Sequence, residues 1–453
     1  MTSEPLLGAS PLDSAIARRD GVAIDRRQYL ADVAALCARL PARGAMLNLS
    51  SDRYRFAVGL GAALLRGHPC LLPPNHTPDT VARLRARFPD AYALVEAEGE
   101  GDGLPSIVHA PSPAAVAVDP ALPLVDADRI AAHVLTSGST GDPVPHAKPW
   151  GLLATSARAE AARLAEAMGR ASLDGLTLVA TVPPQHMYGF ESSVLLALHG
   201  GAALDVGRPF YPADVVATLA ATPSPRALVT TPFHLKALLE SRLAMPPVEL
   251  VVCATAPLSP QLAARSEAAF AAPLVEIYGC TEAGQVATRR TVAGAEWHTF
   301  DGVRIDGDGD AVTVSGGHVP EPTVLADVLE VTGATTFKLL GRSNDLINVA
   351  GKRSSIGHLD FHLNSIEGVV DGAFWMPGER DGDAAGVVRL VAFVVAPGVA
   401  RERIVAALRE RIDAAFLPRR IVHVDALPRE ATGKLTRARL GQLAARHLAA
   451  GRR

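Results

Sequence analysis

TSGSTGDPVPHAK, residues 136–148, follows a strand-like apolar run, AAHVL, and precedes a stretch with helical spacing. The hydroxyls of Thr136, Ser137, Ser139 and Thr140, with the bare backbone of Gly138 and Gly141, can surround an anion with N–H and O–H donors. This is not the G-x-x-x-x-G-K-[ST] loop of ordinary nucleotide triphosphatases, because Lys148 follows Gly141 by seven residues. A strand, an anion-binding turn and a helix in that order point to an α/β fold.

The flanking sequence agrees. Helical periodicity runs through 27–40 and 155–169, and helices also fit 212–221, 232–244, 260–271, 400–415 and 436–449. Short β-branched or apolar runs at 178–182, 227–230, 249–252 and 274–277 alternate with those helices, the pattern of parallel sheets covered on both faces. Beyond about residue 295, short strands at 303–305, 311–315, 324–331 and 335–340 are separated by Gly- and Asp-rich turns, and a second helix–strand set begins near 356. A chain of 453 residues exceeds one ordinary core, so two or three units are expected. Asp306, Asp308 and Asp310 mimic the start of a calcium loop, but the twelfth position is Gly317 where a glutamate is required, so a hairpin turn is expected there and again at Asp381 and Asp383.

Composition excludes several classes. Apolar residues are 48% and charged residues 20%, the mix of a folded globular chain. A formal net charge of -3 argues against nucleic acid as a partner, and no apolar run approaches the ~20 residues a membrane span needs. Cys37, Cys70, Cys253 and Cys280 are scattered without a C-x-x-C pair, as for reduced thiols rather than disulfides or a zinc site. No basic start with an apolar run marks the N-terminus, so a cytoplasmic location is expected. Gly59-Leu60-Gly61 lacks the third glycine of a dinucleotide loop and sits in an apolar helical stretch.

Four further segments follow 136–143 in order: PPQHMYGFE (183–191), IYGCTEAG (277–284), GRSNDLINVAGKR (341–353) and PREATGKLTRARL (428–440). Together the five resemble the adenylate-forming superfamily of acyl-CoA synthetases, aryl-acid ligases, peptide-synthetase adenylation domains and luciferases. TSGSTGDP is similar to its phosphate-binding loop, IYGCTEAG to its Y-G-x-T-E signature, and PREATGKLTRARL to the stretch that carries its catalytic lysine. The resemblance covers nearly the whole chain. It implies a large N-terminal α/β domain of layered mixed sheets with helices, residues 1–341, and a small mobile C-terminal α+β domain, residues 342–453.

The implied reaction joins a carboxylic acid to ATP, giving acyl-AMP and pyrophosphate, then transfers the acyl group to a thiol, either coenzyme A or a carrier protein's phosphopantetheine arm. Charge spreading over phosphoryl oxygens calls for positioned cations and Mg²⁺. By the resemblance, Lys434 of the Thr-Gly-Lys turn is the catalytic lysine, Thr281 reaches the α-phosphate and Glu282 holds Mg²⁺. Tyr278 packs on adenine, Asp327 binds ribose and Arg342 contacts the nucleotide. Thr136 to Gly141, Lys148, Thr255, Ala256 and Gly279 complete the nucleotide side. His186 stands at the floor of an acyl pocket that Met187, Tyr188 and Gly279 line, with Phe190 either supporting it or packing in the core.

Amino-acid-activating relatives place an aspartate where this chain has Met187, and a buried ammonium without a partner is prohibitively costly. A neutral-bodied acid is therefore expected, and TVPPQHMYGFE with GDPVPHAK resembles short ligases of aryl polyene-type pigment pathways, which activate hydroxybenzoate- or cinnamate-like acids for an acyl carrier protein. A CoA ligase for an aliphatic acid and a non-catalytic acyl-adenylate binder are the alternatives. The pattern departs from the family at the delayed Lys148, at the hinge, which falls on Asn344, and at His358 and Asp360, which replace a glutamate pair. The Arg-rich C-terminal helix reads mainly as a solvated face, and secondly as a surface for an acidic carrier protein.

Overall fold

In the computed structural model the described residues are 2–73, 75–109, 122–137, 143–342, 346–349, 352–376, 390–429 and 435–449. Two mixed sheets dominate the N-terminal part. One has six strands in the order Pro143–Pro149, Ile130–Ser137, Cys70–Leu72, Ala45–Asn48, Ala91–Val95 and Ser106–Val108, parallel except for the first pair. The other has eleven strands. Its parallel centre runs Leu274–Cys280, Leu250–Cys253, Arg226–Thr230, Thr177–Ala180, Ala203–Asp205 and Ala15–Arg19. Antiparallel strands flank that centre, from Gly284–Arg289 out to Asp327–Gly333 on one side and Val22–Asp25 on the other.

The strands Thr177–Ala180 and Leu250–Cys253 are buried along their whole length, which is why they read as apolar runs. Helices return the chain between them, and three open with proline in the first turn, at Pro212, Pro232 and Pro260. Thr231 and Ser259 cap the latter two by accepting from the His234 and Leu262 N–H groups. Between the sheets lies the helix Arg53–Arg66, capped by Asp52 and stopped at Gly67 in a left-handed conformation. It contains Gly59 and Gly61 and is buried nearly all round, as expected for an apolar helix rather than a nucleotide loop.

Several sequence-based boundaries shift: the helices expected at 27–40 and 232–244 end at Cys37 and Glu240. The helix expected at 155–169 begins at Trp150, which is fully buried. The strand expected at 324–331 is two strands in different sheets: Val319–Val324 ends a three-stranded antiparallel sheet, and Asp327–Gly333 opens the edge of the large one. Periodicity could not see the crossing, because Val324 and Val328 keep the apolar spacing across the turn. The helix expected at 400–415 ends at Arg409, because Asp413 caps a separate short turn, Ala414–Phe416. The Asp306–Asp310 segment is a hairpin joining Arg304–Asp308 to Ala311–Gly316. The segment holding Asp381 and Asp383 lies outside the described residues.

A smaller α+β part follows. The hairpin Leu346–Val349/Lys352–Ser355 leads to the helix Ile356–Asn364 and a sheet of Asp371–Trp375, Val391–Val395 and Arg420–His423. Leu359, Leu363, Phe374, Ile404 and Leu408 fill one face of that sheet, and Phe393, Leu440 and Leu443 fill the other. The two parts touch where Gln261 donates to the Ser365 carbonyl at 2.8 Å, and where Ser355 donates to the Leu340 carbonyl at 2.6 Å.

Candidate active site

Three parallel strands end at one edge of the large sheet, where ligands of open α/β sheets bind. Thr177–Ala180 leads to the 183–191 segment, Leu250–Cys253 to Thr255 and Ala256, and Leu274–Cys280 to the Thr281-Glu282-Ala283 turn. Thr255 is exposed and has φ +83, a conformation that a β-branched residue adopts only under strain. Ala256 is half-buried beside it, and Thr281 is half-buried while Glu282 is exposed.

The hairpin of the phosphate-loop segment reaches the same edge. Ile130–Ser137 pairs with Pro143–Pro149, so the backbones of Thr136 and Ser137 face Val144 and Pro143 across the ladder. Gly138, Ser139, Thr140 and Gly141 lie outside the described residues. Alternation along the outgoing strand puts His146 and Lys148 on one face. His146 Nε2 is 4.0 Å from Glu282 Oε1, and the Lys148 ammonium donates to the Glu282 carbonyl at 2.9 Å. Lys148 pairs with Ala132, five residues beyond the first paired position, and is 8% exposed. The delay of this lysine thus has a physical reason. It ties the hairpin to the Thr281-Glu282 turn.

Among the residues expected to meet the nucleotide, the buried Tyr278 hydroxyl donates to Asp327 Oδ2 at 2.7 Å. Its ring meets Trp297 and Phe337 at 5.6 and 5.4 Å. Asp327 opens its strand opposite the backbone of Arg342, so the register brings both expected nucleotide residues to one end of an edge ladder. Gly279 lies at a bulge where a side chain would collide with the Gly284 carbonyl, which explains glycine at that point of the Y-G pair.

In the segment 183–191, His186 is exposed ahead of the Met187 turn. Gln185, anchored on the Ser50 carbonyl at 2.7 Å, fixes the chain just before it. Met187 is half-buried. Tyr188 is 6% exposed and its hydroxyl donates to the Val252 carbonyl at 2.9 Å, which makes it a brace between the segment and the central sheet. Phe190 is fully buried against Phe56, the core alternative. Lys434 and Asn344 lie outside the described residues.

Beneath the rim is a buried polar set that sequence reading missed. Glu160 on the Trp150–Ala167 helix is fully buried and Glu191 is 5% exposed. Gln285 Nε2 donates to Glu160 Oε2 and to Ser192 Oγ, each at 3.0 Å. Burial pushes the Glu160 carboxyl up to about 7, against the pull of its Ser192 and Gln285 hydrogen bonds. Burial likewise raises Glu191 to about 8, opposed by the Lys148 charge. Burial lowers the Lys148 ammonium, with Glu191 the strongest opposing charge. The signal was available: Glu160 falls three residues after Ala157 and four before Leu164 on the apolar stripe, and Glu191 is a lone charge in the run MYGFESSVLLAL.

This arrangement has the layout of an adenylate-forming enzyme: a phosphate-type hairpin, a Thr-Glu turn and a nucleotide-side aspartate around one sheet edge, with a small α+β part alongside. The AMP-binding enzyme family matches residues 49–334 and its C-terminal domain matches 378–434, and the chain belongs to that family. It is an acid–thiol ligase that forms acyl adenylates. It is 32% identical over 303 residues to a 4-coumarate–CoA ligase of Rhodobacter capsulatus, covering 66% of this chain and 73% of that one. It is 30% identical over 313 residues to a 4-coumarate–CoA ligase of Halorhodospira halophila, with the same coverage. The fold resembles ATP-bound MatB from Rhodopseudomonas palustris, with TM-score 0.74, 18% identity and 96% of each chain covered. No helix among the described residues is long and apolar enough to cross a membrane.

Proposed function

We propose that the enzyme activates an aromatic carboxylic acid with ATP and delivers it to coenzyme A, or to a carrier protein's phosphopantetheine thiol. The observation that carries this reading is the convergence of the phosphate-loop hairpin, the Thr281-Glu282 turn and the 183–191 segment at one sheet edge, with Lys148 fastening the first to the second. Support for an aromatic acid comes from the two 4-coumarate–CoA ligases and from Met187, which leaves that position without a partner for an ammonium.

In the first step an oxygen of the acid attacks the α-phosphorus of ATP, and the bond to the pyrophosphate oxygen breaks. Thr281 and the donors of the 136–141 loop hold phosphoryl oxygens in line, and Lys434 neutralises charge developing between the acyl oxygen and the α-phosphate. Glu282, an exposed carboxylate on the turn, suits Mg²⁺, which takes one or two carboxylates together with phosphate oxygens and supplies charge neutralisation. Asp327, steadied by Tyr278, accepts from the ribose hydroxyls, with Arg342 nearby along the ladder. Gly279, Thr255 and Ala256 border the nucleotide, and His186 stands at the exposed mouth of the acyl segment.

In the second step the thiol attacks the acyl carbon and AMP leaves. We assign residues 1–341 to the catalytic domain and 342–453 to a lid that turns about Asn344, so that Lys434 withdraws after the first step. ATP–pyrophosphate exchange across benzoates, cinnamates and fatty acids tests the reading, followed by AMP release with coenzyme A or a holo carrier protein. Preference for short fatty acids would remove the aromatic assignment, and no exchange with any acid would remove the ligase itself.

A further inference from the structure

Arg53 opens the helix Arg53–Arg66 and is fully buried. Its guanidinium reaches the end of the central strand Thr177–Ala180. Nη2 donates to the Ala180 carbonyl at 3.0 Å and to the Val182 carbonyl at 2.9 Å, and Nη1 donates to Ser193 Oγ at 2.8 Å. Ser193 passes the tie on, since its hydroxyl donates to the Gly189 carbonyl. These acceptors flank the 183–191 segment: Ala180 and Val182 lie just before it and Ser193 just after it. Three residues ahead of Arg53, the Ser50 carbonyl accepts from Gln185, inside the segment, at 2.7 Å. One short stretch, 50–53, therefore holds the segment at its entry, in its interior and at its exit. The exit, Phe190–Leu195, is a wide π-type turn, a geometry that recurs at functional sites.

Among the described residues, every side-chain hydrogen bond of Arg53 goes to an uncharged acceptor. Burial lowers the guanidinium to about 10, with Asp205 the strongest opposing charge, so it stays a cation at neutral pH. Burying a cation costs free energy that neutral acceptors only partly return. What the side chain adds is geometry. A rigid planar fork fixes its acceptors relative to one another, which neither a lysine nor an apolar chain can do. We propose that Arg53 is a positioning residue for acid activation: without touching the substrate, it sets the shape of the 183–191 segment and so the placement of the acid's carboxylate before ATP. The inference rests on the reading that this segment receives the acid. Misplacing reacting atoms by about 1 Å through a remote change can cost on the order of 100-fold in rate.

The test is pyrophosphate-exchange kinetics with the best acid of a benzoate, cinnamate and fatty-acid panel, alongside a melting curve. Arg53→Lys keeps the charge and loses the fork. It should raise the KM for the acid by about 10–100-fold and leave the KM for ATP within about twofold. Ser193→Ala removes one acceptor and the onward bond to Gly189, and should raise the same KM by about tenfold; it decides the matter if Arg53→Lys does not fold. Tyr29→Phe is the control. Tyr29 is buried and donates to the Ala57 carbonyl of the same helix at 3.1 Å, so its loss should lower the melting midpoint and leave both KM values alone. If the deciding variant leaves the acid KM unchanged, or raises both KM values equally, or if Tyr29→Phe shifts the acid KM as far, Arg53 is a structural residue and the inference falls. No exchange by wild type with any acid would instead remove the ligase reading beneath it.

Discussion

The rim and the floor of the site are built from the same strand ends and differ in almost every physical respect. At the rim, His186, Thr255 and Glu282 are exposed and follow directly from short motifs. On the floor, Lys148, Glu160, Glu191 and Gln285 are buried, bonded to one another or to backbone, and drawn from positions up to 137 residues apart. The rim presents exposed side chains to solvent. Its residues should govern rate with little effect on stability, whereas the floor holds charges whose removal disturbs the fold.

The largest expected effect concerns the lysine that the proposed first step requires. Lys434→Ala should lower the adenylation rate by about 10²–10³-fold, as loss of a single transition-state donor does elsewhere, with an unchanged thermal midpoint. Single-turnover acyl-AMP formation measures the first quantity and a melting curve the second. A matching drop in both would make Lys434 part of the fold and erase the contrast.

On the floor the expectation reverses. Lys148→Met leaves the Glu282 carbonyl without its donor and, above about pH 8 where Glu191 is ionised, leaves that carboxylate without its cation, so it should cost roughly 3–5 kcal/mol in urea unfolding at about pH 9. An unfolding free energy within about 1 kcal/mol of wild type would show that the hairpin does not depend on this tie.

The floor should also give the protein a pH signature. Glu160 sits at about 7 and Glu191 at about 8 in the fold, against an ordinary 4.5. Between about pH 4.5 and 8 the folded chain keeps protons that the unfolded chain has released, so this contribution to stability is complete below that window and declines as pH rises through it. Glu160→Gln should flatten part of the decline, by up to a few kcal/mol between pH 5 and 8.5. Parallel stability curves for wild type and Glu160→Gln would mean that Glu160 carries no buried proton.

The contrast explains how much could be read in advance. The α/β class, the parallel core strands and the Thr-Glu turn are local patterns, since periodicity and turn chemistry act over a few residues. The role of Lys148 was not legible, because the partner of its ammonium is a backbone carbonyl 134 residues away. Glu160 lies in an alanine-rich helix where a glutamate ordinarily reads as solvated, and only its place on the buried stripe betrays it. Asp327 was legible as a carboxylate but not as the first residue of an edge strand, since two apolar strands in different sheets run together in the sequence.

Thr255 offers the smallest and most discriminating test, because it sets stability against rate at one position. A β-branched residue at φ +83 carries strain of order 1–3 kcal/mol, which glycine relieves. Glycine also enlarges the entropy of the unfolded chain by about 0.5–1 kcal/mol, so Thr255→Gly should stabilise the fold by about 1 kcal/mol net. If the strained turn exists to present this residue to the nucleotide, the same change should lower the adenylation rate several-fold and raise the KM for ATP. Gain of stability with unchanged kinetics would leave the strain without a function, and loss of stability would show that the threonine side chain anchors the turn after all. Only stabilisation together with a slower reaction fits a rim whose geometry is held for its ligand at the expense of the fold.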